Sequence, residues 1–167
     1  MARDLRHLYE TDFVAWASEQ AEALRGLARS RWNGPLDLER LAEEVEDLGA
    51  AQRAAVLSQI ERLLHHLLKL AYSALPQPRN GWLNNVDSAR GEIERRMTAT
   101  LRLAAEEALP RLYVRARRAA RRDLIDYGET EAARELPDEN PYTLEQLLDD
   151  EWYPVSRLDS GGGPDRR

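Results

Sequence analysis

With 167 residues, 43% of them hydrophobic, the chain has enough material for one compact domain without a metal or disulfide staple. It contains no cysteine, which excludes disulfides, thiolate zinc sites, iron–sulfur clusters and cysteine nucleophiles. A net charge of −6 argues against a dedicated nucleic-acid binder, although a local patch can defeat that average.

The opening Met1-Ala-Arg-Asp-Leu-Arg-His7 is charged and lacks the apolar run of a secretory signal. No stretch approaches the roughly 20 apolar residues of a membrane span. The sequence reads as cytoplasmic, with no membrane partner. Lys69 is the only lysine among 24 lysines and arginines, a bias that a GC-rich genome explains without any function.

In chain order, the first helix is expected to start near Thr11 or Asp12, either of which can cap exposed amides. Phe13, Trp16, Gln20, Leu24 and Leu27 recur at helical spacing and form its expected core face. Asn33-Gly34-Pro35 ends the segment. Asp37 can then cap a second helix whose apolar positions Leu38, Leu41, Val45, Leu48, Gln52, Val56, Ile60, Leu63, Leu67 and Ala71 keep spacings of three and four. That pattern predicts one long helix over about 38–73, on the order of 50 Å at 1.5 Å per residue, with Gly49 a tolerated weak point. Pro76 and Pro78 stop it.

Asn80 is a candidate cap for a third helix carrying Trp82, Val86, Ala89, Ile93 and Met97, with a break expected at Thr98-Ala99-Thr100. A fourth helix over about 102–126 buries Ala105, Ala108, Leu109, Leu112, Ala116 and Ala119, with Pro110 awkward inside it. After Gly128 and Pro137-Asp-Glu-Asn-Pro141, Thr143-Leu-Glu-Gln146 has capping-box spacing and opens a short helix with Leu144, Leu147 and Leu148. The expected fold is all-α: a bundle of about four main helices, including the long second one, plus a short C-terminal helix. It forms a single helical domain over 1–150. Residues 151–167 follow as an extension, and Ser160-Gly-Gly-Gly-Pro-Asp-Arg-Arg167 has the composition of a disordered end.

Several segments taken together resemble the bacterial domain of unknown function 29 family. They are Tyr9-Glu-Thr-Asp-Phe13 with Trp16, Asp37-Leu-Glu39, Leu41-Ala-Glu-Glu-Val-Glu-Asp-Leu-Gly49, His66-Leu-Leu-Lys69, Trp82 with Val86, Arg90 and Ile93, and Pro141-Tyr-Thr-Leu-Glu-Gln-Leu-Leu-Asp149. The resemblance covers about residues 8–149 and implies an all-helical fold but no established activity.

Three surfaces are candidates for function. On the second helix Glu39, Glu43 and Glu46 form a row, with Glu44 and Asp47 adjacent. Such carboxylates can bind hard metals, yet the Glu-x-x-His motif of bundle di-metal sites is absent, and no metal or other cofactor is expected. An acidic first half of a long helix also complements its own dipole. A metal-dependent or acid–base enzyme would use Glu43, Glu44, Asp47 and His66, and requires them to converge. His66 flanks the apolar stripe, where a hydrogen bond to a neighbouring helix is the plainer role, and His65 is expected to be the more exposed of the two.

The fourth helix supplies the opposite charge in Arg111, Arg115, Arg118 and Arg122, with Arg117 and Arg121 facing farther out. Such a row could grip phosphates, but no nucleic-acid-binding signature accompanies it, and Tyr113 alone makes no stacking surface. Pairing of this row with Glu39, Glu43 and Glu46, within one molecule or across a dimer, is the simpler use. Trp16, Trp82 and Tyr9 fit core anchors, and Trp32, Trp152 and Tyr153 fit clamps on loops or the terminal segment; the alternative is a partner groove lined by Tyr142, Trp152 and Tyr153. The leading expectation is a non-catalytic protein-interaction module, self-associating or bound to another protein.

Overall fold

The computed structural model describes residues 4–30 and 32–160, and most of the expected disordered end lies outside them. Among these residues every regular element is a helix: α1 (Leu5–Thr11), α2 (Phe13–Arg29), α3 (Leu38–Tyr72), α4 (Arg79–Glu94), α5 (Ala99–Asp126), α6 (Thr130–Glu135), α7 (Leu144–Leu148) and α8 (Arg157–Ser160). The chain divides into two compact units, Met1–Val56 with Met97–Ala104, and Leu57–Arg96 with Ala105–Arg167.

In the first unit the expected helix start near Thr11 or Asp12 is a junction between two helices. Asp12 leaves the helical region at φ −150°, ψ 79°, terminates α1 and caps α2 through Ala15 N at 3.1 Å. Its second carboxylate oxygen accepts Thr100 N at 3.0 Å, so one side chain satisfies orphan amides at the starts of both α2 and α5. Burial alone would raise the pKa of Asp12, but the Thr100 and Ala15 amides and the Thr100 and Thr98 hydroxyls hold it below the ordinary carboxylate value.

The core face of α2 is also narrower than its pattern suggests. Val14, Ala17 and Ala21 are buried, while Phe13, Trp16, Gln20 and Leu24 are half-buried and Leu27 is exposed. Tyr9 is no core anchor: it is exposed, packing edge-on against Phe13 and Trp16. Small residues explain the shift, since a Cβ on Gly49 would stand 3.0 Å from the Ala17 Cβ. A helix pair this close buries Leu38, Ala42, Gly49 and Val56 along α3 and leaves Leu41 and Leu48, expected in the core, 39% and 58% exposed.

In the second unit α3 buries Leu57, Ile60, Leu63, Leu64, Leu67, Leu68, Leu70 and Ala71. Helix α4 buries Trp82, Val86, Ala89 and Ile93 as its period predicts. Its N-cap is Pro78, without a side-chain cap bond, and Asn80 lies inside the first turn. Helix α5 starts at Ala99, earlier than expected, with Thr98 Oγ1 accepting Leu101 N, and it runs through Pro110. Ala120 is buried where Ala119 was expected, and Tyr113 is a core residue at 1% exposure. Gly128, at φ +80°, ends α5 with Glu129 N on Leu124 O, the left-handed terminus that glycine accepts without strain. The capping box at Thr143 and Gln146 forms as read from the sequence.

Candidate functional site

The segment after α7 has no regular structure up to α8, yet two arginines of α4 hold it. Arg90 is buried and donates from Nε to Leu147 O (2.9 Å), from Nη2 to Trp152 O (2.7 Å) and from Nη1 to Asp150 O (3.4 Å). Arg79, three helical turns earlier and so on the same side of α4, donates to Ser156 Oγ (2.9 Å) and Leu70 O (3.1 Å). The Arg90 guanidinium also lies 4.8 Å from the Tyr153 ring centre, and the Tyr153 hydroxyl donates to Asp87 at 2.7 Å. An irregular strap is thereby fixed by charge-assisted bonds to its carbonyls, which is what a segment with no helical ladder of its own requires.

The strap forms one wall of a cleft of about 510 Å³ in the second unit. Tyr72, Tyr142, Trp152 and Tyr153 supply aromatic faces, and Pro141 and Pro154 supply rigid apolar ones. Tyr142 meets Trp152 edge-on at 5.3 Å between ring centres. Asn140 orients Tyr142 by accepting its amide at 3.1 Å and donating to its carbonyl at 2.7 Å. Burial pushes the Tyr142, Tyr72 and Tyr153 hydroxyls up from their ordinary pKa, so they remain protonated donors throughout the physiological range. At the rim Arg157 pairs with Glu135 at 2.9 Å, which leaves this part of the lining without net charge. Tyr142, Trp152 and Tyr153, named from the sequence as a possible groove, thus line one cavity; Tyr72, Arg79 and the role of Arg90 were missed.

A second polar cluster lies on α3 and α5. Lys69 is 4% exposed, pairs with Asp123 Oδ2 at 2.8 Å and stands 5.2 Å from the Trp82 ring centre. His65 is half-buried, not exposed as expected, and its Nε2 is 2.9 Å from the same oxygen. Burial, with the Lys69 charge, lowers the His65 pKa despite Asp123, so the neutral ring donates this bond. The His66 ring lies 4.9 Å from that of His65, tilted by 30°, and its buried Nδ1 has no hydrogen-bond partner among the described residues. Burial, then the charges of Lys69, His65 and Arg62, depress its pKa to about 4. His66 does not make the expected helix-to-helix hydrogen bond through Nδ1.

The acidic candidates occupy a different part of α3. Glu39, Glu43, Glu44, Glu46 and Asp47 are all exposed and belong to the first unit, whereas His66 belongs to the second. Among the described residues no three histidine, aspartate or glutamate side chains are arranged to hold a metal ion. The glutamate row is answered by Arg25 of α2: its Nη2 reaches Glu46 at 2.5 Å, and Glu46, then Glu39 and Glu43, raise its pKa. Glu43 also pairs with Arg40 at 3.1 Å. In the arginine row Arg115 is 3.7 Å from Glu61 and Arg117 pairs with Asp138 at 2.6 Å, whereas Arg111, Arg118, Arg121 and Arg122 are exposed without an ion pair among the described residues.

Residues 8–153 match the family described as Domain of unknown function DUF29, and the chain belongs to it. It is also similar to a crystal structure of an alpha-helical protein of unknown function from Rhodospirillum rubrum ATCC 11170, at 26% identity and a TM-score of 0.75 over 86% of this chain and 90% of that one. No curated protein matches. Among the described residues no helix is long and apolar enough to cross a membrane.

Proposed function

We propose that this chain is a protein-interaction module whose C-terminal cleft takes a short, extended, proline-bearing peptide segment. The observation that carries this reading is the cleft of Tyr72, Tyr142, Trp152 and Tyr153, held open by Arg79 and Arg90 before any ligand arrives. A preformed site spares the ordering cost of binding. Aromatic and proline faces suit the flat pyrrolidine rings of a polyproline II segment, whose carbonyls have no partners within the peptide and can accept from the phenols of Tyr72 and Tyr142, the Tyr153 proton being given to Asp87. The Glu135–Arg157 pair at the rim supplies no net charge to favour a charged ligand.

The test uses fluorescein-labelled decaproline and fluorescence anisotropy. Saturable binding is expected in the range of about 10–500 µM, the weak affinity of a short peptide in a small cleft. Trp152→Ala weakens it roughly tenfold or more, and Tyr142→Phe, which removes one hydroxyl, weakens it about threefold, with helical circular dichroism unchanged. Absence of binding, or binding untouched by both substitutions, overturns the proposal.

A further inference from the structure

Two helices each carry a second apolar line that their own packing does not use. On α3, Leu41, Glu44 and Leu48 share a flank turned about 90° from the buried line of Leu38, Ala42, Gly49 and Val56. Asp47 stands beside them, and all four side chains are exposed. On α5 the side opposite Leu112, Ala116 and Ala120 carries Val114 and Ile125, 52% and 43% exposed, with Arg111, Arg118 and Arg121 spaced between and around them. Eleven residues make three turns, so the two aliphatic side chains lie on one line. Leucines with carboxylates on one helix and aliphatics with guanidinium groups on the other are complementary in both polarity and charge.

We infer that the chain self-associates, the arginine line of α5 in one copy docking on the leucine–acid flank of α3 in a second copy. Among the described residues the acids of this flank free for this are Glu44 and Asp47, because Glu46 and Glu43 are engaged with Arg25 and Arg40. Each stretch, Leu41 to Ala55 and Arg111 to Ile125, rises on the order of 20 Å, which allows a paired contact of about four turns. Exposed aliphatics on the arginine line favour a protein surface over nucleic acid. Phosphates match the guanidinium groups but not Val114 and Ile125, and Tyr113, next to Val114, is buried. The inference is independent of the peptide cleft, and decaproline binding reports on the two separately.

The experiment is native mass spectrometry with sedimentation velocity at low salt, on the full chain and two charge-reversed variants. One variant is Glu44→Arg with Asp47→Arg, the other Arg118→Glu with Arg121→Glu. The parent chain forms an assembly larger than a monomer that weakens as salt rises, since exposed charge pairs are screened. Each variant alone is monomeric, with self-association weakened roughly tenfold or more and circular dichroism unchanged. Mixed in equal amounts the two variants associate again, because the basic flank of one then meets the acidic line of the other. A parent chain that is monomeric at about 100 µM, variants that assemble like the parent, or a mixture that stays monomeric overturns the inference; the concentration is a ceiling for weak specific contacts. A monomeric parent that retains DNA or RNA, and loses it with Arg118→Glu and Arg121→Glu, gives the arginine line to nucleic acid and also overturns it.

Discussion

The buried cations of the second unit and the exposed arginine line of α5 are chemically alike and physically opposite. Lys69 and Arg90 are 4% and 3% exposed, and their hydrogens meet one carboxylate and three carbonyls respectively. Arg111, Arg118, Arg121 and Arg122 are exposed, and no acid answers them among the described residues. A buried cation has lost its hydration, so its partners determine whether the local structure stands; an exposed one keeps its water and contributes little until another surface desolvates it. The difference separates charges that hold the second unit together from charges that stay in water.

The comparison breaks most visibly at Arg90. Arg90→Met removes donors from the carbonyls of Leu147, Asp150 and Trp152, and a loss of about 3–4 kcal/mol is expected from charge-assisted bonds in a buried setting. Urea unfolding measures it, and decaproline binding should fall with it because the strap loses its anchor. A loss below about 1 kcal/mol would put Arg90 in the class of the surface arginines.

Lys69→Met comes next, at about 2–3 kcal/mol, less than for a fully buried pair because the Asp123 side chain is 23% exposed and keeps His65 as a donor. Lys69→Arg should not restore the parent value, because a forked guanidinium needs room that a compact ammonium between Asp123 and Trp82 does not.

Periodicity made the helices legible, and chemistry that depends on which face is closed stayed hidden. The spacing from Leu38 to Ala71 fixed α3 as one long helix, and Thr143 with Gln146 announced α7, because both signals are local. Leu41 and Leu48 misled because the stripe rule assumes that the larger residue faces in, whereas Ala17, Ala42 and Gly49 let α2 approach on the neighbouring line. Asp12 was legible as a cap but not as one shared with Thr100, a contact across 88 positions. The grip of Arg90 on the strap is likewise long-range. The one signal available and unused was Lys69: a sole lysine inside the apolar run Leu67-Leu68-Lys69-Leu70 of an arginine-rich chain marks a cation in a buried stretch.

The smallest expected effect sharpens the contrast from the side of pH. His66 has a folded pKa of about 4 against an ordinary 6.5, so between these values the unfolded chain binds a proton that the folded chain refuses. Stability then rises with pH across that window: the His66 contribution is complete above about 6.5 and is lost as pH falls toward 4. Because the ring is only half-buried, solvent screening reduces the loss to about 1–2 kcal/mol. His66→Leu removes the proton-binding group and the unpartnered Nδ1 together, so its melting temperature should fall less than that of the parent between pH 7 and about 5. Carboxylates such as Asp12, held below their ordinary pKa, act lower on the scale and are common to both proteins, so the difference between the two pH curves reports His66 together with its coupling to His65. Parallel curves, or an NMR titration of His66 centred near 6.5, would mean that water reaches this ring and that the Lys69 cluster is open to solvent like the arginine line of α5.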